Sequence, residues 1–334
     1  MLVGEARAAA ADWVRRHAPG VRGAFLAGSV AFRDPRAEQP PWSDVDVRVV
    51  VPDAGAVRPG RLRHAGALLD VSPVPEHALV DADRVAGSFH LAPCFAVDGV
   101  LSDPTGRLGE LRAAIAPGFA RPPAVARRCA DVAATATDLL TAADRARSWP
   151  EHVLSWLFPT SLLTHLVLVA ALRPPTVRLR YRAVRDVLAG VRRLDLHERL
   201  LGLLGCAAVD AGTVAAHLDR LAEVFDAAVR VARTPFPFSS DVTALARPIA
   251  IDGSRRLVAD GDHREAVFWV VATFARCQHV IDADGPDDLR RSAASAFRDA
   301  ASDLLGVRGG DDVRARTRAA LAALPGLHAA AMAP

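Results

Sequence analysis

Gly28-Ser29 and, after a loop, Asp44-Val45-Asp46 are the residues whose types and spacing carry chemistry in this chain. The segment from Gly23 to Ala27 reads as a short buried strand ending at Gly28, and Val45 to Val51 reads as its β-rich neighbour in one sheet. Side chains alternate across a strand, so Asp44 and Asp46 project together while Val45 and Val47 point into the packing layer. Two carboxylates one strand step apart repel each other unless a cation sits between them. Hard oxygen ligands of this kind suit Mg²⁺, which keeps several waters and takes one or two carboxylates together with substrate phosphates. The Gly28-Ser29 turn ahead of the acids and Ser43 immediately before them would face those phosphates.

Asp70 is the candidate third acid. It sits in the apolar run Leu68-Leu69-Asp70-Val71-Ser72-Pro73-Val74, preceded by Gly66, which reads as another central strand. With it the site could hold two ions about 3.5–4 Å apart, activating an acceptor oxygen and neutralising a leaving pyrophosphate. Asp70 would then be a general base or a bridging ligand, and the sequence leaves both roles open.

The elements that must position these acids form an α+β chain. A helix over 5–18, closed by Pro19-Gly20, leads into strands near 22–27, 45–51 and 67–72, with a further strand over 96–101 and a helix at 107–116. This predicts a small mixed sheet with flanking helices over 1–121. Residues 122–334 have a helical period and predict an all-helical bundle. Ser148-Trp149-Pro150-Glu151 has capping-box spacing, Pro159 should interrupt or kink the helix it starts, and Pro174-Pro175 should stop it. Further helices are expected at 177–190, 195–204, 211–232, 262–283, 285–305 and 311–331.

Composition narrows the chemistry. All 41 basic residues among the 334 are arginine, which excludes a Schiff-base lysine and leaves phosphate recognition to guanidinium, hydroxyl or backbone groups. A net charge of +3, a single tyrosine and 5% aromatic residues disfavour a nucleic-acid groove without excluding one. Cys94, Cys129, Cys206 and Cys277 are widely spaced in apolar surroundings and read as buried thiols. No signal peptide is evident, and the longest apolar run, 166–172, is too short to span a bilayer, so a soluble cytoplasmic protein without a membrane partner is expected.

Two clusters in the helical part are candidate substrate contacts. On the 177–190 helix, Val177, Tyr181, Val184 and Leu188 make the core stripe, with Arg178, Arg182 and Arg185 on one flank and Arg180 on the other. These arginines, Arg178 and Arg180 first, could hold nucleotide phosphates or form a solvated face paired with Asp186. Asp262-His263-Arg264-Glu265 opens a helix that is apolar on nearly every side, where charged groups need partners or a ligand. Asp262 reads as the cap and Glu265 as the end of a capping box, while His263, Arg264 and Glu265 are candidates to face substrate. His90 reads as a core histidine, and Glu151 as a helix-start residue.

Gly28-Ser29, Asp44-Val45-Asp46 and Asp70 resemble the nucleotidyltransferase superfamily that includes DNA polymerase β and the antibiotic nucleotidyltransferases. The matching stretch runs from residue 23 to about 75. The resemblance implies that the Gly-Ser turn binds a triphosphate, that Asp44 and Asp46 bind Mg²⁺, and that Asp70 assists the acceptor hydroxyl, with Glu151 the alternative base because some antibiotic enzymes take theirs from the second domain. The expected activity is transfer of a nucleoside monophosphate, AMP first, from ATP or another triphosphate to a hydroxyl of a small polar molecule such as an antibiotic or natural-product intermediate. A tRNA end or a protein as acceptor, and a non-catalytic nucleotide-binding or antitoxin-like partner, are the alternatives. The antibiotic enzymes also make a homodimer with shared active sites an arrangement open to this chain. Two features depart from the pattern: the loop between Ser29 and Asp44 is longer than usual, and Arg33 stands one place beyond the position, here Phe32, where small-molecule members often carry arginine.

Overall fold

The computed structural model describes residues 1–18, 20–52, 59–143 and 148–333. Pro19, expected to close the first helix, lies outside them. The chain is α+β, a five-stranded mixed sheet with flanking helices followed by a helical region. Contacts group it into two compact units, Met1–Asp131 with Leu172–Thr176, and Val132–Ala171 with Val177–Pro334.

The first unit runs α1 (Val3–His17), β1 (Gly23–Ala27), β2 (Val45–Val51), β3 (Gly60–His64), β4 (Ala67–Pro75), α2 (Ala82–Gly87), α3 (Ala92–Ala96), β5 (Val100–Ser102), α4 (Arg107–Ile115) and the start of α5 (Pro122–Thr141). The division between units falls inside α5 rather than at the expected 121/122 step. The strand order is β3-β4-β2-β1-β5, with β2 and β4 parallel and every other pair antiparallel.

Period-2 burial makes the two faces of the sheet different. Val45, Val47, Val49, Leu69 and Val71 pack on one side with Val3, Ala6, Ala10, Trp13 and Val14, the helical stripe of α1. On the other side Phe25, Ala27, Val50 and Val74 pack with Leu79, Val85, Phe95, Leu108 and Leu111 of the helices that follow. Asp46, Arg48, Asp70 and Ser72 share that second face, two and four residues before Val50 and Val74, so the face is apolar at one end and charged at the other.

β3 was not expected, because Gly60-Arg61-Leu62-Arg63-His64 is too polar to read as a strand. It is an edge strand, where charge is tolerated and discourages further pairing. A two-residue turn with positive φ at both Ala65 (47°) and Gly66 (83°) joins it to β4, the geometry that matches hairpin twist. The expected strand over 96–101 is in fact the last residue of α3, a short connection and β5.

The second unit holds α6 (Trp149–Ala170), α7 (Arg180–Gly190), α8 (Leu194–Leu204), α9 (Ala211–Val231), α10 (Gly253–Ala259), α11 (His263–Asp284), α12 (Asp287–Leu305) and α13 (Gly310–Met332). Ser148 and Glu151 form the predicted capping box, but α6 continues through Pro159. α6 is also long and apolar enough to cross a membrane, which the run-length reading missed because Ser, Thr and His interrupt it. Most of its apolar stretch is buried, and it packs on α7, α8, α11 and α13. All four cysteines are free and buried, and loss of hydration pushes the Cys94 thiol up to about 12.

Candidate active site

Strand register gathers the three acids. Asp46 of β2 stands opposite Asp70 of β4 on one side and Ala27 of β1 on the other, and Asp70 stands opposite Arg61 of β3. Asp46, Asp70 and Arg61 therefore lie in one row across three strands, on one face. Asp44, two residues before Asp46, reaches the same row: Arg61 Nε donates to Asp44 Oδ2 at 2.9 Å, and Arg61 Nη2 lies 3.4 Å from Asp70 Oδ2. Arg48, one strand step along from Asp46, donates to Ser72 Oγ at 2.5 Å.

The Gly28 turn closes over Asp46. Its φ of 62° is a left-handed conformation that glycine adopts without strain, and a Cβ there would fall 1.8 Å from Asp46 Oδ2. Any side chain at position 28 would thus displace the carboxylate. Gly28 is half-buried and Ser29 is exposed, so the bend is open to solvent. Loss of hydration, reinforced by the charge of Asp44 and then Asp70, raises the pKa of Asp46 to about 7 against the pull of Arg48 and Arg61.

The long loop between the turn and the acids is braced from α1. Val3 and Gly4 N–H groups donate to Ala37 and Pro35 carbonyls, both at 2.8 Å, and Arg7 donates to the carbonyls of Val30 and Arg33. Arg33 donates to Gln39 Oε1 at 3.1 Å and to Glu38 O at 2.5 Å, so it holds the loop rather than facing a phosphate. Gln39 Nε2 in turn donates to the carbonyls of Ser43 and Asp44, both at 3.3 Å, which sets where Asp44 leaves the loop. Ser43 is half-buried beside it.

The donor set is all carboxylate oxygen, which suits a hard cation. Among the described residues, no group of three or more His, Cys, Asp or Glu side chains is placed to hold a metal ion. The acids are therefore not a preformed cage. Asp44 and Asp46 offer the one or two carboxylates that Mg²⁺ commonly takes, leaving its other positions to water and phosphate. Asp70 is engaged by Arg61. The site fits a metal shared with a phosphate ligand better than one bound by protein alone.

The expected contacts in the second unit have other partners. Arg180 is 3% exposed, stacks 4.5 Å from the Phe268 ring centre and donates to Val177 O and Ser161 Oγ, and burial lowers its pKa to about 9. It is a core residue and presents nothing to a triphosphate. Arg178 precedes α7, which begins only at Arg180, and donates to Gly253 O at 3.3 Å; Val177, assigned to the core stripe, is exposed. Arg182 and Arg185 each lie 2.6 Å from Asp262, which is 2% exposed and makes no side-chain cap.

His263, Arg264 and Glu265 likewise bind within the bundle. His263 Nε2 lies 3.1 Å from Val209 O, and Arg264 makes a two-pronged pair with Glu198 at 2.8 Å on each arm. Glu265 contacts Arg185 at 3.2 Å and His197 at 3.5 Å. The charges that seemed to need a ligand are thus satisfied by neighbouring helices. Glu151 serves the α6 cap, and His90 is on the surface beside Ser88 rather than in the core. Arg61 is the contact the sequence reading missed; the alternation of Arg61 and Arg63 about Leu62 was its only local signal.

Compared with known protein families, curated proteins and solved structures, the chain matches none.

Proposed function

We propose that the Met1–Asp131 unit carries a Mg²⁺-dependent nucleotidyltransferase site that moves a nucleoside monophosphate, AMP first, from a triphosphate to a hydroxyl of a small polar molecule. The observation that carries this reading is the row of Asp46, Asp70 and Arg61 across three strands, joined by Asp44 and roofed by a glycine turn that admits no side chain. Asp44 and Asp46 would hold Mg²⁺, which when bound neutralises charge on the phosphates and the leaving group. Gly28, Ser29 and Ser43 line the approach to them and are assigned to the triphosphate. Asp70 would take the proton of the acceptor hydroxyl as its oxygen bonds to the α-phosphorus, the bond to the bridging oxygen breaks and pyrophosphate leaves.

One observation favours a second reading. Arg61 between Asp44 and Asp70 is also what a non-catalytic nucleotide-binding descendant would use to quiet its acids. RNA as acceptor loses its main support, because Arg182 and Arg185 are paired with Asp262. The test is pyrophosphate release from each of the four ribonucleoside triphosphates with Mg²⁺, against aminoglycoside, lincosamide and tRNA acceptors. Release that vanishes in Asp46→Asn supports the transferase; triphosphate binding without release under any combination supports the non-catalytic reading.

A further inference from the structure

Arg128 on α5 is 1% exposed, and arginine does not shed its charge inside a protein. Its Nη2 donates to Phe119 O at 2.6 Å, and the guanidinium lies 4.0 Å from the centre of the Phe119 ring. Nη1 is buried without a hydrogen-bond partner, and among the described residues no carboxylate comes within ion-pair distance. Arg180, buried to a similar degree over the Phe268 ring, donates through both Nε and Nη1, to Val177 O and Ser161 Oγ, and leaves no nitrogen buried and unbonded. Arg128 lacks that closure. It is also a wall of a cleft of about 110 Å³ between α2, α4 and the start of α5. Ala82, Ala86, Ala114 and Ile115 give the cleft an apolar side, while Asp83 and Arg127, both exposed, bring one charge of each sign to it. Those two charges offset, so Arg128 sets the sign of the cleft. A buried guanidinium with a donor to spare is costly until an acceptor arrives, and an ionised acceptor bonds it more strongly than a neutral one. The volume is below the roughly 150 Å³ that holds benzene in an apolar cavity, which limits a ligand to a few carbons.

We propose that this cleft binds a small carboxylate with a short apolar chain, its carboxylate on the Arg128 guanidinium and its chain against the alanines and Ile115. Inorganic phosphate is the poorer match, since it has no apolar part to set against that wall and would lose hydration there without return. None of Gly28, Asp44, Asp46 and Asp70 lines the cleft, so the site is distinct from the proposed nucleotidyl-transfer site and stands whether or not that reading does.

The experiment titrates butyrate, inorganic phosphate and butylamine into the full chain at constant ionic strength and follows binding by isothermal titration calorimetry. The proteins are the wild type, Arg128→Met, which keeps the bulk without the charge, and Ala114→Phe, which narrows the cleft and leaves Arg128 in place, with circular dichroism confirming that each variant folds. The wild type should bind butyrate saturably, at least about tenfold more tightly than phosphate, and should take up no butylamine. Each variant should weaken butyrate binding by at least about tenfold. Ala114→Phe carries the test if Arg128→Met does not fold. Butyrate binding that survives in either folded variant, phosphate preferred over butyrate, or no saturable butyrate binding by the wild type would each overturn the assignment.

Discussion

The acid row of the sheet and the charged start of α11 are built from the same two side-chain chemistries and come out differently. At α11, Asp262 has Arg182 and Arg185, Glu265 has Arg185 and His197, and Arg264 has Glu198. Asp262 and Glu265 are each 2% exposed, and each has at least one cation close by. On the sheet, Asp44, Asp46 and Asp70 are half-buried near Arg61 and Arg48, and loss of hydration together with the neighbouring carboxylates raises the pKa of Asp46 to about 7. Buried charge in this part of the scaffold stands beside opposite charge. An acid whose charge the fold itself disfavours, as at Asp46, is where a site is to be sought, and the proposed cation would relieve it.

That contrast can be broken most sharply at the acids. Asp44→Asn and Asp46→Asn should each lower pyrophosphate release on the order of 10³-fold while keeping the wild-type circular dichroism spectrum, since they remove repulsion rather than packing. Gly28→Ala should do the same through the carboxylate it displaces. Asp262→Ala should act the other way round. It takes the nearest carboxylate from two arginines, leaving Arg185 its contact with Glu265, and should cost about 2–3 kcal/mol in chemical denaturation, less than a fully buried pair because both arginines touch water, with triphosphate affinity unchanged.

The pH dependence separates the regions further. Asp46 has a folded pKa of about 7 against an ordinary carboxyl value of 3.8, so between these values the native state holds a proton that the unfolded state has lost. Its contribution to stability is intact below pH 4 and is lost as pH rises towards 7. Asp46→Asn should therefore be about 1–3 kcal/mol more stable than wild type at pH 8, with the gap closing at pH 4, in metal-free urea titrations. The smallest effect is expected from Arg264→Ala, about 1 kcal/mol through the lost half-exposed pair with Glu198, and no change in KM for any acceptor.

What could be read in advance follows the range of the interactions involved. β1, β2 and β4 were legible because valine alternation and the bounding glycines are local signals, and the shared face of Asp44 and Asp46 follows from strand periodicity alone. β3 was hidden because edge strands need little apolar character, and its turn uses Ala65-Gly66 where Asn-Gly would have announced a hairpin. Arg61 was hidden with it, since its partners are set by the pairing of Arg61 with Asp70, a contact between strands rather than along one. The same blindness misassigned Arg180 and His263, Arg264 and Glu265: a helical wheel shows which residues share a flank, but not that α8 and α11 bring Glu198 and Phe268 to meet them.

The central claim is that the acid row binds a metal and a triphosphate together beneath the Gly28 turn. The direct measurement is a crystal structure with α,β-methylene ATP and Mn²⁺, using anomalous scattering to place the ion. The account predicts Mn²⁺ on Asp44 and Asp46 and the triphosphate against Gly28-Ser29. Mn²⁺ away from Asp44 and Asp46, with the nucleotide bound elsewhere or not at all, would contradict it.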